Sequence, residues 1–346
     1  MKKNRVIIWG LGSVGQYALK MMLDKETLEL AGVIDIDPAK VGKDAGEVIG
    51  AGKTGVIVSS DVEATLAIPA DVVLIYVNTP YDRADMTPRR WAPAADLICQ
   101  AMQAGKNVLT TMPIYFAKDT VPEVYEKVNT CALENGVTYV QQGIFPGLFN
   151  PYLPVVIASM CGKIDKVIVH GGQDDAFNTS AWVKIFGYGA PVEGYDPTFV
   201  RSMIWPYYGP AVRQIADRCG IAYDEYREEH RLFTADVEMN PPCGNVQPGT
   251  ISAHVFDMVC VKDGVEVTGF HFVHKVCHDI QPEPPCFDGY QIVGEPGLDI
   301  VIKGMIPEDV PYASSAAPSV NLIPQVVEAI PGFLDALDLP AAKPVL

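Results

Sequence analysis

A glycine-rich turn near the N-terminus constrains the fold of this chain more than any other feature. An apolar run at residues 6–9 leads without a gap into Gly-Leu-Gly-Ser-Val-Gly at residues 10–15, and helical apolar spacing follows. In this strand–turn–helix setting Gly10 allows the tight turn, Gly12 lets a diphosphate approach the backbone, and Gly15 lets the helix pack on the strand. The free N–H groups at the helix start then face the phosphates, so the turn predicts dinucleotide binding.

An acidic residue stands at the place where a dinucleotide-binding unit needs one. A second apolar run ends at Asp35, twenty residues beyond Gly15. A carboxylate there accepts hydrogen bonds from the ribose hydroxyls of the adenosine half, and its charge favours NAD over NADP. Lys40 and Lys43 follow closely enough to shift that preference, so NAD and NADP both remain open. The alternative interpretation is an ordinary glycine turn with a solvated aspartate.

The first 143 residues alternate between strand and helix patterns. Near-continuous apolar runs are typical of strands that are buried on both faces of a parallel sheet. Six strands are predicted, at residues 6–9, 30–34, 55–58, 70–77, 107–111 and 137–141. They predict an α/β fold with an N-terminal Rossmann doubly wound parallel sheet, whose ligand lies at the carboxyl ends of the strands. The cofactor-binding residues are therefore predicted to be Gly10, Leu11, Gly12, Ser13, Val14, Gly15, Asp35, Asn78, Thr79, Pro80, Thr111 and Phe145.

The sequence changes character after residue 147. Two long alternating runs, at residues 250–261 and 266–278, flank a hairpin signal, and shorter strand patterns occur elsewhere. These patterns predict a C-terminal α+β domain with an open mixed or antiparallel sheet. We expect residues 1–147 to bind the dinucleotide and 148–314 to form the substrate and oligomerisation domain. A helical stretch over residues 320–337, interrupted by Pro324 and Pro331, is predicted within 315–346 and is expected to pack back on the first domain.

Composition and charge exclude several function classes. The chain has 346 residues, a formal net charge of -16 and a pI near 4.7, which argues against nucleic acid because phosphate binding needs a basic surface. No signal peptide or membrane span fits the sequence. The eight cysteines form no CxxC pair and are expected to be reduced thiols in a cytoplasmic protein. An open sheet exposes one face, so we expect a homodimer through it.

Several stretches together resemble one known group of proteins. They are Asp-Pro-Ala-Lys-Val-Gly-Lys-Asp at 37–44, Asn-Val-Leu-Thr-Thr at 107–111, Gly-Ile-Phe-Pro-Gly at 143–147, Gly-Tyr-Gly at 187–189, and the tail runs at 320–324 and 337–340. This pattern is similar to the 2,4-diaminopentanoate dehydrogenase and native amine dehydrogenase group of dihydrodipicolinate-reductase-like proteins. The resemblance implies an NAD(P)-dependent oxidoreductase that exchanges hydride with a C=O or C=N group of a small molecule.

The chain departs from that group where acid–base chemistry is expected. The amine dehydrogenases have a glutamate after the fifth strand, whereas this chain continues from Thr111 through Met112 and Pro113 without an acid. Phe145 replaces the asparagine of a Gly-Val-Asn-Pro-Gly turn. In dihydrodipicolinate reductase a histidine pair and a lysine precede an Asp-Ala-Pro-Ser-Gly-Thr-like turn; here only Asp175 and the following alanine remain.

Hydride transfer belongs to the cofactor, so the protein must supply a proton donor or acceptor. The candidates are His170, which is expected to end a strand, Asp174 and Asp175, Tyr81 after the fourth strand, and Tyr115. Each has a structural alternative, such as a satisfied core histidine, a helix cap or a packed ring. Two other functions remain open: a carbonyl or alcohol oxidoreductase with a histidine or tyrosine proton donor, and a dinucleotide-binding protein without turnover.

Four potential metal ligands cluster in sequence: His271, His274, Cys277 and His278. In a strand, His271 and Cys277 would lie roughly 20 Å apart at about 3.3 Å per residue, and His271 and His274 would point to opposite faces. One zinc ion cannot bind side chains placed in this way. No metal is therefore predicted.

Overall fold

The computed structural model describes residues 3–178, 181–276, 285–305 and 312–345. The chain forms two compact units, the first made of Met1–Tyr152 with Ile306–Leu346 and the second of Leu153–Met305. The sequence places the corresponding boundaries after residues 147 and 314, and the roles assigned to the two domains stay predictions. Among the described helices, none is both long and apolar enough to cross a membrane.

The first unit contains a seven-stranded parallel sheet with the order β13-β6-β5-β4-β1-β2-β3. Numbered in chain order, its strands are β1 (Asn4–Trp9), β2 (Leu28–Ile34), β3 (Val58–Ser59), β4 (Val72–Ile75), β5 (Asn107–Thr110), β6 (Thr138–Gln141) and β13 (Gly332–Phe333). The strand order reverses between β1 and β4, which is where ligands bind in doubly wound sheets. The predicted Rossmann sheet is confirmed.

Helices cover this sheet, and the C-terminal helix is part of the same core. The described helices of the unit are α1 (Ser13–Leu23), α2 (Ala45–Val48), α3 (Val62–Leu66), α4 (Ala94–Gln103), α5 (Ala117–Thr120), α6 (Pro122–Asn135), α9 (Ala313–Glu328), and two short 3-10 helices at Pro88–Trp91 and Ala336–Asp338. Val6 and Ile8 of β1 share one buried cluster with Leu19 of α1 and with Val320 and Ile323 of α9. Residues from both ends of the chain therefore build the core of this unit.

The second unit contains a six-stranded mixed sheet with the order β12-β11-β7-β10-β9-β8. Its strands are β7 (Lys163–Asp174), β8 (Glu225–Thr234), β9 (Ile251–Lys262), β10 (Val265–Lys275), β11 (Asp288–Glu295) and β12 (Leu298–Ile302), and its helical segments are α7 (Tyr152–Ala158), α8 (Thr198–Cys219) and a 3-10 helix at Ala181–Phe186. All neighbours are antiparallel except β7 and β10. Tyr208 of α8 packs on Phe270 and Phe272, so α8 covers one face. The predicted open mixed sheet is confirmed.

A two-residue turn fixes the register of β9 and β10. Asp263 and Gly264 have φ angles of 50° and 78°, which is the backbone of a type I′ hairpin and agrees with the predicted signal. The register places His254 opposite His274, and Asp257 opposite His271. Because directly paired residues share a face, the turn determines which polar side chains meet.

Three expectations about the elements are wrong. Strand β8 is absent from the prediction because Glu225–Thr234 contains six charged or histidine side chains, which suit an edge strand with a solvated face. The predicted helix over residues 320–337 ends at Glu328, and β13 follows, since Pro331 cannot continue a helix and Gly332 has a φ of +142°. His170 does not end a strand, because β7 continues to Asp174.

Candidate active site

The backbone geometry of the turn requires glycine at positions 10 and 15, whether or not a ligand is bound. Gly10 has a φ of +100°, and a Cβ there would lie 2.8 Å from the Tyr76 carbonyl carbon. A Cβ on Gly15 would lie 2.0 Å from the Gly10 carbonyl oxygen. Side chains at these positions would collide with backbone atoms, which cannot move aside as a flexible side chain can.

Gly12 is different, because nothing in the protein requires a glycine there. Its φ is −75°, which any residue can adopt, and a Cβ would meet no protein atom within 4 Å. It is exposed, and it stands at the N-cap of α1, whose first turn has no side-chain cap. A ligand with negative charge that approaches the backbone explains both features, so the turn fits a diphosphate.

Asp35 stabilises the turn through backbone hydrogen bonds, and the Lys40 ammonium lies beside it. Its Oδ2 accepts the Leu11 N–H at 2.7 Å, and its Oδ1 accepts the Asp37 N–H at 2.8 Å. The Lys40 Nζ lies 3.5 Å from Asp35 Oδ2 and 3.3 Å from Asp37 Oδ2. Asp35 therefore lies directly after β2, as expected, and a lysine ammonium neutralises part of its charge; its contact with a ribose stays a prediction.

The remaining predicted cofactor residues follow the carboxyl ends of neighbouring parallel strands. Asn78, Thr79 and Pro80 come after β4, with Asn78 exposed and the other two half-buried, and half-buried Thr111 comes directly after β5. Phe145, after β6, is half-buried and its ring lies 4.4 Å from that of Phe149. The structure brings these residues to the same edge of the sheet as the glycine turn; their contacts with a cofactor stay a prediction.

The two tyrosines predicted as proton donors have structural contacts. Tyr115 is 3% exposed, and its hydroxyl donates to the Pro146 carbonyl at 2.8 Å and accepts the Gly143 N–H at 3.3 Å. These bonds hold the 143–147 turn, so we do not assign proton transfer to Tyr115. Tyr81 is half-buried, and the Arg90 guanidinium carbon lies 4.9 Å from its ring centre.

His170 occupies the middle of β7 rather than the end of a strand. Its neighbours Gly171 and Gly172 let rings and backbone pack closely: a Cβ on Gly171 would lie 2.7 Å from the Phe270 ring. The His170 ring stacks on Phe287 at 4.6 Å and on His271 at 5.5 Å, on the sheet face away from α8. Burial and the charge of His271 lower the pKa of His170. We assign it a packing role.

Asp175 is fully buried directly after β7 and has partners that the sequence analysis missed. Its Oδ2 accepts from His274 Nδ1 and from the Tyr188 hydroxyl, each at 3.0 Å, and its Oδ1 accepts from Asn178 Nδ2 at 2.9 Å. His274, near the end of β10, is 99 positions away in sequence. Burial, and then the Asp175 charge, raise the pKa of Tyr188. The Tyr188 hydroxyl therefore stays protonated and donates a hydrogen bond to the carboxylate.

A second polar row joins α8, β8 and β9. Arg201 Nε donates to His230 Nδ1 at 3.2 Å, and His230 Nε2 lies 2.9 Å from His254 Nδ1. Burial and the Arg201 charge lower the pKa of His230 to about 4. Burial, followed by the neighbouring His230 and His274, lowers the pKa of His254 well below its ordinary value. Both imidazoles of this row are therefore neutral at physiological pH.

A third cluster lies on the opposite face, around His271. Its Nδ1 lies 2.6 Å from Asp257 Oδ1 and its Nε2 lies 2.9 Å from Glu266 Oε1. Arg231 and Lys166 pair with the same carboxylates at 2.7 and 3.1 Å. Burial alone would lower the pKa of His271, but the hydrogen bonds to Asp257 and Glu266 raise it to about 9. His271 is therefore a cation between two carboxylates.

The described potential metal ligands of β10 point away from each other. His271 and His274 lie on opposite faces of β10, as expected for residues three apart in a strand. Within the described ranges, no group of three or more His, Cys, Asp or Glu side chains is placed to hold a metal ion. Cys277 and His278 lie outside the described residues.

A doubly wound sheet, an uncapped glycine turn and an acid at the end of the second strand define a dinucleotide-binding class of protein. The chain belongs to the 2,4-diaminopentanoate dehydrogenase family: the family model for the 2,4-diaminopentanoate dehydrogenase C-terminal domain matches residues 152–346. The model for the dihydrodipicolinate reductase N-terminus matches residues 4–78. The protein is an oxidoreductase of the NAD(P)-dependent dehydrogenase and reductase type, as the resemblance implied.

Full-length relatives agree with this assignment. An amine dehydrogenase from Streptomyces virginiae is 28% identical, over 96% of this chain and 95% of its own length. A 2,4-diaminopentanoate dehydrogenase from Acetoanaerobium sticklandii is 24% identical, over 100% of this chain and 96% of its own. The structure of an amine dehydrogenase from Mycobacterium smegmatis superposes with a TM-score of 0.75 at 23% identity, covering 98% of this chain and 97% of that chain, and shows the same fold.

Proposed function

We propose that the protein interconverts an amine and the corresponding carbonyl compound with NAD or NADP. The match of the whole 152–346 segment to the 2,4-diaminopentanoate dehydrogenase C-terminal domain carries this proposal, and the amine dehydrogenase relative supports it. The nicotinamide supplies hydride exchange when it is bound. The protein must bind the amine or imine, place it, and move protons and water during the reaction.

The absence of a glutamate after β5 favours a second candidate function, a carbonyl or alcohol oxidoreductase. After β5 the chain continues through Thr111, buried Met112 and buried Pro113, so no carboxylate stands where the resembled amine dehydrogenases have one. A carbonyl or alcohol oxidoreductase needs no group for incoming ammonia and is therefore the second candidate function. Its proton donor would be a histidine or a tyrosine; His170 and Tyr115 are engaged elsewhere, so Tyr81 is the sequence-predicted donor that remains.

Ammonia dependence separates the two functions. We expect NADH or NADPH oxidation with short ketones and aldehydes to require ammonium and to give primary amines, and we expect NAD(P)+ reduction by the same amines. The measurement is cofactor absorbance with product analysis, run in parallel with sodium chloride in place of ammonium chloride. Alcohol formation without ammonium would assign the second candidate function instead.

We further propose that Lys40 lets the site accept NADP beside NAD. The Asp35 carboxylate already receives two backbone N–H groups, and the Lys40 ammonium lies between Asp35 and Asp37. An ammonium at this position offsets the repulsion that Asp35 alone would exert on a 2′-phosphate. Asp35 still favours NAD, and Lys40 reduces the difference in affinity between NAD and NADP.

Replacing Lys40 with alanine should weaken NADPH binding about tenfold or more while NADH binding changes little, since a charge-assisted contact contributes about 1.5–3 kcal/mol. Fluorescence titration gives both dissociation constants without turnover. Lys43→Ala is the matched control: it removes the same charge, but in the described part of the chain only Lys40 pairs with Asp35. Equal losses for NADPH and NADH in Lys40→Ala would refute a specific role in NADP binding.

The oligomeric state and the location are predictions from sequence alone. We keep the homodimer, with the open sheet face as its interface, and the cytoplasm as the compartment. Light scattering at micromolar protein concentration measures the oligomeric state directly.

A further inference from the structure

Tyr76 lies against the glycine turn directly after β4 and is half-buried. A Cβ on Gly10 would lie 2.8 Å from the Tyr76 carbonyl carbon and 2.8 Å from the Val77 nitrogen. A Cβ on Gly15 would lie 3.6 Å from Cδ2 of the Tyr76 ring. The backbone and the ring of Tyr76 therefore flank both positions at which the turn requires glycine.

The Tyr76 hydroxyl is held by the C-terminal helix. It lies 2.6 Å from Ser319 Oγ of α9, 243 positions later in the chain. Ser319 is 0% exposed, and its own hydroxyl donates to the Ala316 carbonyl at 2.8 Å. A serine hydroxyl has one proton, so Ser319 Oγ accepts from Tyr76. Burial raises the pKa of Tyr76, so the phenol keeps its proton and is the donor.

Apolar packing joins the turn to the same helix. Leu11, the second residue of the turn, is 0% exposed and belongs to the buried cluster that contains Ala316 and Val320 of α9. The Tyr76 side chain packs against this cluster. The turn is therefore connected to α9 twice, by the hydrogen bond of the Tyr76 hydroxyl and by the Leu11 side chain.

The other hydrogen bonds of the turn are made near the end of β2. The Gly10 N–H donates to the Ile34 carbonyl at 2.8 Å, and the Leu11 N–H donates to the Asp35 carboxylate at 2.7 Å. Glycine restricts the backbone little, and the first turn of α1 has no side-chain cap, so the glycine turn keeps its shape through its neighbours. Tyr76 extends this support to the opposite end of the chain.

We propose that Tyr76 couples dinucleotide binding to the packing of α9, so that the bound dinucleotide and the C-terminal helix stabilise each other. This inference rests on the dinucleotide binding assigned to the glycine turn. Tyr76 is a positioning residue, since it acts by holding the glycines in the conformation that receives the diphosphate. Ser319 in turn holds the Tyr76 side chain, and α9 therefore supports a site from which it is distant in sequence.

The coupling follows from the equilibrium between the packed and the separated helix. When α9 separates from α1, the Tyr76 hydroxyl loses its acceptor and the turn loses the support of the Tyr76 ring. The glycines then allow further backbone conformations, and only a fraction of the molecules can bind the dinucleotide. Because linkage is reciprocal, a dinucleotide that binds only the ordered turn also stabilises the packed helix.

Removing either hydroxyl tests the coupling. We expect Tyr76→Phe and Ser319→Ala each to raise the dissociation constants of NADH and NADPH about three- to tenfold, the effect of one lost hydrogen bond. The double variant should bind as each single variant does, because both changes remove the same bond. Fluorescence titration measures binding, and urea unfolding of the same samples measures stability.

Thr138→Val is the matched control. Thr138 Oγ1 donates to the Ile330 carbonyl at 2.9 Å, so this hydroxyl also connects the parallel sheet to the C-terminal segment. It lies at the start of β6, on the edge of the sheet opposite to the glycine turn. We expect Thr138→Val to lower the free energy of unfolding and to leave both dissociation constants unchanged.

The outcomes separate this inference from dinucleotide binding itself. A wild-type protein that binds neither NADH nor NADPH would refute the assignment of the turn, and the coupling with it. Wild-type affinity in Tyr76→Phe and Ser319→Ala would refute the coupling and leave the turn assigned. Additive losses in the double variant would refute the bond between the two hydroxyls as the link. An equal loss of affinity in Thr138→Val would show a general loosening of the unit and refute a role specific to Tyr76.

Hydrogen exchange measures the coupling from the side of the helix. NADH at about 100 times its dissociation constant should slow the exchange of α9 amides in the wild-type protein, up to about 100-fold where exchange requires separation of the helix. In Tyr76→Phe, at the same ratio of NADH to its dissociation constant, α9 should be slowed much less, because the helix can separate without disturbing the turn. The amides of α6, which packs on β6 and β13, are the internal reference. Equal slowing of α9 and α6 in both proteins would refute coupling through Tyr76.

Discussion

Replacing Gly15 with alanine is expected to lower the free energy of unfolding of the first unit by about 3 kcal/mol or more, at the upper end of overpacking costs. The new Cβ would lie 2.0 Å from the Gly10 carbonyl oxygen, and the Gly10 N–H is held by a hydrogen bond to the Ile34 carbonyl at 2.8 Å. Relief would require α1 to move away from β1, which would open the cluster that contains Val6 and Leu19. Urea unfolding followed by far-UV circular dichroism measures the change.

Gly12→Ala is the matched control for Gly15→Ala, and we expect it to affect dinucleotide binding rather than stability. Its Cβ would meet no protein atom within 4 Å, so the free energy of unfolding should change by less than about 1 kcal/mol, the cost of a poorer N-cap. NAD(H) binding should nevertheless fall about tenfold or more, because the methyl group stands where the diphosphate must approach the backbone. If Gly12→Ala bound the dinucleotide as well as the wild type, the assignment of the turn to the diphosphate would be wrong.

The second large effect is a loss of folding stability at high pH, when the protonated His271 side chain loses its charge. Its pKa of about 9 in the folded protein exceeds the ordinary value of 6.5, because hydrogen bonds to Asp257 and Glu266 outweigh burial. A raised pKa contributes stability that is complete below about pH 6.5 and is lost as the pH rises through 9. A shift of this size corresponds to about 2–3 kcal/mol, with allowance for the partial exposure of the side chain.

Equilibrium unfolding at several pH values between 6 and 10 measures this contribution. Cysteine, lysine and tyrosine side chains also titrate in this range, so the wild type must be compared with His271→Gln, which keeps a hydrogen-bond donor but no charge. We expect the wild type to lose about 2–3 kcal/mol more than His271→Gln between pH 7 and pH 10. Parallel curves for the two proteins would mean that His271 is not protonated in the folded state.

The local signals in this sequence predicted the fold because they report directly on backbone geometry. A glycine spacing that only a strand–turn–helix can use determined the first sheet, and an Asp-Gly pair with positive φ angles determined the β9–β10 hairpin. Strand β8 was missed because its pattern is dominated by charged side chains on an edge. Its residues alternate only weakly between buried and exposed positions, so periodicity does not reveal it.

The candidate site was predicted only where its residues are close in sequence. Asp175 was identified from its local turn, but its partner His274 lies 99 positions later and reaches it through the parallel pairing of β7 and β10. Sequence spacing around His274 gives no indication of this pairing. His170 was preferred because a strand was expected to end there. In the folded sheet the strand continues to Asp174, and Gly171 and Gly172 make room for the neighbouring Phe270 ring and the Phe287 backbone.

The course of the chain sets the order in which the first unit can be completed during synthesis. Val320 and Ile323 of α9 share a buried cluster with Val6 and Ile8 of β1, and the Tyr76 hydroxyl lies 2.6 Å from Ser319 Oγ. The first 150 residues therefore leave the ribosome without the helix that closes their own core. The whole second unit is translated before that helix appears. A nascent chain that stops before α9 lacks part of this buried core, so the predicted dinucleotide site rests on a core that only translation through α9 can complete.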